Sequence, residues 1–237
     1  MKRRAPRPFV LINMAMTADG KIATANRAVA TFGSARDHAH LLSLRATADA
    51  VLCGARTADS QPIDLGPGPV RYRRMRVRRG LAEYNLRVVA SGAGTLSPDA
   101  ALFKRQFSPV LVITTSRADA ARLRRLRSLA DAMVVCGRER IDWEKALSWL
   151  SRKWRVRRLL CEGGGELNSA LISAGLVDEL HLTISPLVFG GARAPTIADG
   201  SGALTLASAA AFRLRSMRRV GDELFLVFRA IRRVDRA

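Results

Sequence analysis

The sequence predicts an α/β protein: a mostly parallel mixed sheet, flanked by helices and closed by an antiparallel hairpin. Three observations predict it. Short apolar runs of strand length alternate with segments of helical period from Phe9 to Ile184. Most of those runs end at a glycine or a hydroxyl residue, where open parallel sheets receive ligands. The C-terminal stretch then changes to period two, with Phe212, Leu214 and Ser216 followed by Leu224, Leu226 and Phe228 around Val220-Gly221-Asp222-Glu223.

The elements follow in order. Phe9–Thr17 is a strand ended by the turn Ala18-Asp19-Gly20-Lys21. Ser34 is an N-cap for a helix running to about Ala46. Asp49–Gly54 is a short buried strand, and Gly66-Pro67-Gly68-Pro69 makes 64–69 a loop. Leu86–Ala90 is a strand broken by Ser91-Gly92-Ala93-Gly94. Val110–Thr114 and Ala132–Cys136 are strands on either side of a helix over Ala118–Leu129. Trp143–Trp154 is a helix, Val156–Cys161 a strand, and Asp178–Ile184 another strand after a helix that carries Leu167, Leu171, Ile172 and Leu176.

A chain of 237 residues with 48% apolar content is long enough for one sizeable core. The expected organisation is a basic tail over 1–8 and a single domain over 9–232. No segment reaches the ~18 consecutive apolar residues of a membrane span, and the start lacks a cleavage site of small residues. The expectation is a cytoplasmic protein without membrane attachment. Cys53, Cys136 and Cys161 lie far apart at the ends of apolar runs, as buried thiols in a reducing compartment do. His38, His40 and His181 are too scattered for a metal cluster, and no metal is expected.

The net charge of +20 comes mostly from arginine: lysine occurs only at Lys2, Lys21, Lys104, Lys145 and Lys153. Arginines cluster at 71–79 and again at Arg122, Arg124, Arg125 and Arg127. In the second cluster, Leu123, Leu126 and Leu129 form an apolar stripe that leaves the arginines solvated. Aromatic residues are 5% and do not interleave with the basic ones. The favoured reading is a compositional bias tolerated on the surface, with steering of phosphorylated ligands as a side effect. An arginine-rich nucleic-acid binder is the alternative from another class; no specific nucleic acid is expected.

The most informative stretch is Cys161-Glu162-Gly163-Gly164-Gly165-Glu166-Leu167-Asn168, a strand joined to a helix through three glycines. Backbone amides at a helix start, with no Cβ in the way, make an anion cradle. An ordinary tight turn is its equal rival on these residues alone.

Three segments together resemble one family: Asn13 to Ala23 around Asp19-Gly20-Lys21, Leu44 to Thr57 around Leu-Arg-Ala, and Glu162-Gly163-Gly164 through Val177-Asp178-Glu179-Leu180 to Ser185-Pro186-Leu187. They are similar to the reductase domain of bacterial riboflavin biosynthesis and to the free-standing archaeal and fungal reductases of that pathway. The resemblance implies a dihydrofolate-reductase-like, three-layer fold and the use of NADPH. It implies reduction of the ribosylamino chain of a phosphorylated aminopyrimidine, deaminated or not, to a ribitylamino chain. Such a reaction is mainly one of positioning, with the hydride donor held ~3–3.5 Å from the acceptor carbon. It also implies a homodimer.

Residue by residue, the resemblance makes Lys21, Asp19 and Glu162 catalytic-site residues. Arg45, Lys21 and Glu162 would bind substrate, Arg45 by gripping the phosphate with its guanidinium fork. Gly163 and Gly164 would carry the cofactor diphosphate, with Gly54 and Thr57 near the nicotinamide half. Thr115, Ser116 and Arg117 would meet the adenosine 2′-phosphate, and Ser91 the adenosine. An N-cap at Ser116 is the plain rival for that residue.

Two segments depart from the family pattern, Val29-Ala30-Thr31-Phe32 and Ala58–Gly68, and for the missing phosphate contact the candidates are Arg71 or Arg73. Both lie on the substrate side, so a second reading keeps NADPH and changes the substrate to another pyrimidine, pterin or carbonyl. With no His-x-Glu and Pro-Cys-x-x-Cys arrangement, reduction without deamination is expected.

Overall fold

A computed structural model describes residues 6–27, 32–60 and 62–231. The chain forms two compact units, one of residues 1–9 and 42–160, the other of 10–41 and 161–237. The expected segment Val29–Thr31 and most of the basic tail lie outside the described residues.

In the first unit the strands are β2 (Ala50–Gly54), β3 (Leu86–Ala90), β4 (Val110–Thr114), β5 (Ala132–Val135) and β6 (Arg158–Cys161). Their order is β5-β4-β3-β2-β6, and β2 to β5 pair in parallel. β2 and β4 are buried almost throughout, which is why they read as unbroken apolar runs rather than alternating ones. The helices are α2 (Ala55–Ser60), α3 (Val70–Arg78), α4 (Ala101–Lys104), α5 (Ala120–Leu129) and α6 (Trp143–Trp154). In α5 the arginines are exposed and Leu126 is fully buried, as the stripe predicts.

Helix α3 corrects the reading of the arginine cluster as a surface bias. Arg76 is 1% exposed. Its Nη1 donates to the carbonyls of Arg45 and Ala48 at 2.7 and 2.6 Å, and its Nε to Ala82 at 2.9 Å. Arg87, also buried, likewise donates to the carbonyls of Leu102 and Ser108. Both cations are satisfied by backbone oxygens, which is what their burial requires. Arg73 meets Glu83 at 2.7 Å and the Tyr84 hydroxyl at 2.6 Å, while Arg71 lies over the Tyr72 ring.

The second unit contains β1 (Phe9–Thr17, from its second residue), β7 (Glu179–Ser185), β8 (Phe212–Val220) and β9 (Glu223–Ala230), in the order β1-β7-β9-β8. β1 and β7 are parallel, and β9 runs antiparallel to both β7 and β8, which is the expected hairpin. α7 (Gly165–Ser173) and most of α1 (Ala35–Arg45) complete it. Ser34 caps α1 as expected: its Oγ accepts from the amides of Arg36 and Asp37 at 3.1 and 3.2 Å. The same Oγ donates to Glu223 Oε2 at 2.5 Å, tying the cap to β9.

His40 on α1 packs 5.5 Å from both His181 and Phe225. Burial, then the neighbouring charges of His181 and Arg218, push its pKa down to about 4. The unfolded chain takes up that proton near 6.5, the folded one only near 4, so stability rises with pH across this window and is lost as pH falls through it. His40→Gln is expected to flatten the loss of melting temperature on acidification between about pH 6.5 and 4. An unchanged slope would count against His40 as its source.

All three cysteines are buried and none is in a disulfide. Among the described residues no helix is long and apolar enough to cross a membrane, and no group of three His, Cys, Asp or Glu could hold a metal.

Candidate active site

In the second unit, the turn after β1 and the bend before α7 carry the residues singled out from sequence. The Asp19 carboxylate accepts from the Thr17 hydroxyl at 2.5 Å and from the amides of Phe189 and Gly190 at 3.2 and 2.8 Å. These donors, Thr17 first, hold its pKa below the usual carboxylate range. With its oxygens so committed, Asp19 fixes the loop after β7 to the turn after β1. Lys21, just past the turn that follows β1, makes an isolated antiparallel bridge to Thr196, and its Nζ donates to the Ala194 carbonyl at 3.4 Å.

Glu162 follows β6 half-buried and opens the glycine bend. Gly163 has a φ of 77°, and a Cβ there would lie 2.7 Å from Met14 Sδ. Gly164 caps α7 with no side-chain hydrogen bond. At Gly165 a Cβ would meet the Thr196 carbonyl oxygen and, at 2.5 Å, Asp199 Oδ2. The first and third glycines thus have separate reasons: a left-handed conformation against Met14 at Gly163 and close packing against 196–199 at Gly165. Cys161, beside the bend, donates weakly to Asn168 Oδ1 at 3.4 Å, and burial pushes its thiol up to about 12, so it is inert.

The first unit brings together Ser91, Gly92, Thr115 and Arg117 at the ends of β3 and β4. Thr115 Oγ1 donates to the Gly92 carbonyl at 2.7 Å and accepts from the Arg117 amide at 3.2 Å. A Cβ on Gly92 would stand 3.8 Å from Arg117 Nη2, so the guanidinium lies over a residue with no side chain. Ser91 is 3% exposed and its hydroxyl has no hydrogen-bond partner among the described residues. Ser116 and Arg117 are exposed. The N-cap of α5 is Asp119, whose carboxylate accepts from the Arg122 amide at 2.8 Å. Ser116 is therefore not the cap, which removes its plain rival reading.

Gly54 ends β2, and Thr57 lies half-buried on α2, which starts at the next residue. Arg45 stands at the end of α1, 7% exposed, with Nη1 donating to the Gly66 carbonyl at 2.7 Å in the 62–69 loop. Sequence reasoning passed over Met14, Gly92, Thr196 and Asp199. The last two carried a signal, since Thr-x-x-Asp-Gly is a turn composition.

Residues 8–226 match the family model of the RibD C-terminal domain. The chain belongs to the RibD C-terminal domain family. A curated relative in Methanothermobacter thermautotrophicus, named 2,5-diamino-6-ribosylamino-4(3H)-pyrimidinone 5′-phosphate reductase, is 32% identical over 94% of this chain and 98% of its own. Among solved structures, a pyrimidine reductase-like protein from Corynebacterium diphtheriae superposes with a TM-score of 0.76 at 23% identity, covering 95% of this chain and 92% of that one. RibD of Acinetobacter baumannii superposes with a TM-score of 0.74 at 19% identity; the chain matches over 95% of its length but spans only 58% of that protein. At these identities the structural likeness establishes the fold, the dihydrofolate-reductase-like α/β arrangement expected from sequence. As a RibD C-terminal domain, the chain has relatives that are named as reductases of riboflavin biosynthesis.

Proposed function

We propose that the chain is an NADPH-dependent reductase converting the ribosylamino group of 2,5-diamino-6-ribosylamino-4(3H)-pyrimidinone 5′-phosphate to a ribitylamino group. One observation carries this: the relative bearing that substrate in its name is 32% identical and aligned over nearly the whole of both chains. It favours the undeaminated aminopyrimidine over the deaminated one. The test is loss of NADPH absorbance when purified protein meets this compound. Ready oxidation with an unrelated pterin or ketone, and none with the aminopyrimidine, would move the chain to the second reading.

The choice of NADPH rests on the first unit. A buried hydroxyl at Ser91 with no partner among the described residues, the bare main chain at Gly92 and the exposed Arg117 suit an adenosine bearing a 2′-phosphate. Thr115 and Ser116 would add hydroxyl contacts. Arg117→Ala is expected to raise KM for NADPH about tenfold or more, the ~1.5–3 kcal/mol of a charge-assisted hydrogen bond, with little change for NADH. Equal losses for both cofactors would overturn that assignment.

Within the second unit, Gly163 and Gly164 would let a diphosphate approach the main chain. Within the first unit, Gly54 and Thr57 would border a nicotinamide. When bound, NADPH supplies the hydride. The chain's own residues do the holding: Lys21 donates to a sugar hydroxyl, Glu162 accepts from the sugar chain, and Asp19 keeps the Lys21 turn and the 189–190 loop in place. Arg45 grips the phosphate, its guanidinium plane already set by Gly66.

The proposal includes one working domain over 9–232, a cytoplasmic setting and a homodimer. The dimer is supported by β8, exposed along most of its length, whose Leu214 and Met217 pair with Phe228 and Leu226 of β9 on one face. Buried cysteines outside any disulfide suit a reducing compartment.

A further inference from the structure

The segment 194–199 of the second unit is fastened on several sides. Lys21 Nζ holds the Ala194 carbonyl, the Ile22 amide donates to Pro195 at 2.9 Å, and Asn168 Nδ2 donates to Ile197 at 2.9 Å. Asp199 closes it. Its amide donates to the Gly165 carbonyl at 3.0 Å, and its Oδ1 accepts from the Thr196 amide and hydroxyl at 3.0 and 2.9 Å. Only Oδ2 is left over. It has no hydrogen-bond or ion-pair partner among the described residues, and it lies 2.5 Å from where a Gly165 Cβ would be.

The chain has 40 basic residues to 20 acidic ones, and none of the described basic residues pairs with Asp199. One carboxylate oxygen pins the turn, so the other is held rigidly at the wall of the glycine bend. A carboxylate there repels phosphate but accepts strongly from a hydroxyl. In a phosphorylated dinucleotide, the diphosphate is flanked by two riboses, one bearing the 2′-phosphate and the other a free vicinal diol.

We propose that Asp199 Oδ2 accepts a hydroxyl of a ribose diol bound beside the glycine bend, which makes Asp199 a specificity-determining residue. This rests on the reductase reading above and deepens it. The diol could come from the unphosphorylated ribose of NADPH or from the sugar of the aminopyrimidine; the chemistry at Asp199 is the same.

The test is Asp199→Asn, which preserves the acceptor that Thr196 needs and replaces the ligand-facing charge with an amide. KM should rise about tenfold, ~1.4 kcal/mol, for one ligand, with kcat and melting temperature little changed. A rise for NADPH identifies the cofactor ribose, and a rise for the aminopyrimidine identifies the substrate sugar. Thr196→Val removes one of the two donors that pin Oδ1 but leaves the charge of Oδ2: it should lower the melting temperature and raise the same KM by less than Asp199→Asn does. Should Asp199→Asn not fold, a cofactor analogue lacking a hydroxyl on that ribose and a substrate analogue lacking a sugar hydroxyl give the same readout on the unaltered protein. Unchanged KM for both ligands in a folded, active Asp199→Asn overturns the inference and leaves the reductase standing. An unaltered chain that binds neither ligand removes both.

Discussion

Gly165→Ala is expected to lower NADPH affinity at least tenfold in a chain that still folds. Two effects of opposite sign meet at this residue. Gly165 is the first residue of α7 and its φ is not positive, so alanine should favour the helix by roughly 0.5–1 kcal/mol. Against that, the new Cβ would overlap the Thr196 carbonyl oxygen and sit 2.5 Å from Asp199 Oδ2. Those atoms belong to a turn tied to Lys21, Asn168 and Gly165 itself, so they cannot move one at a time. Overpacking of this kind costs ~1–3 kcal/mol, which outweighs the propensity gain. The strain is relieved by pushing the 196–199 turn off the bend, which spoils the wall that the ligand meets. Fluorescence titration with NADPH and a melting curve measure the two consequences. A more stable protein with undiminished affinity would show that the bend is an ordinary turn.

Arg76→Ala should cost about 3–5 kcal/mol, the largest loss anticipated from one side chain. Arg76 is almost fully buried, and its guanidinium satisfies the carbonyls of Arg45, Ala48 and Ala82. Burial lowers its pKa, but the three oxygens keep the cation favourable by replacing the water it lost. Two of those oxygens lie at or just beyond the C-terminal end of α1, the negative end of the helix dipole. Alanine leaves a cavity and three bare acceptors. For a domain with a total stability of ~5–15 kcal/mol that is a large share, a drop of roughly 10 °C or more in melting temperature. Arg76→Met, which restores volume but not donors, should recover only the packing part. Substrate affinity should fall as well, because the Arg45 carbonyl is one of the three acceptors. A loss below about 1 kcal/mol in Arg76→Ala would mean that solvent can replace the guanidinium.

Much of the fold was legible because the relevant signals are local. Strand ends at Gly54, Ala90, Thr114 and Cys161 are marked by a glycine or hydroxyl at the end itself or within the next two residues, and the period-two pattern of 212–228 declares the hairpin within its own span. The short helices α2 and α4 carry few periodic apolar residues and were invisible for that reason. Helix α3 was hidden by its own composition, since an arginine cluster reads as solvated whichever member is buried. Nothing in Arg71 to Arg79 distinguishes Arg76; the carbonyls it serves come from residues 31 and 28 positions away.

The candidate site divides along the same line. By itself the sequence named the candidate residues and the family they resemble, because glycine, lysine, arginine and carboxylate each bring their chemistry wherever they are placed. It also determined the strands and the cap at Ser34, which depend on neighbours a few residues apart. Only the tertiary structure decided what those side chains are free to do. It spent Asp19 on the 189–190 loop, turned Arg76 inward, gave the α5 cap to Asp119 instead of Ser116, and set Asp199 against Gly165. The reason is physical: hydrogen-bond partners and excluded volume are properties of atoms close in space, and folding brings them from distant parts of the chain.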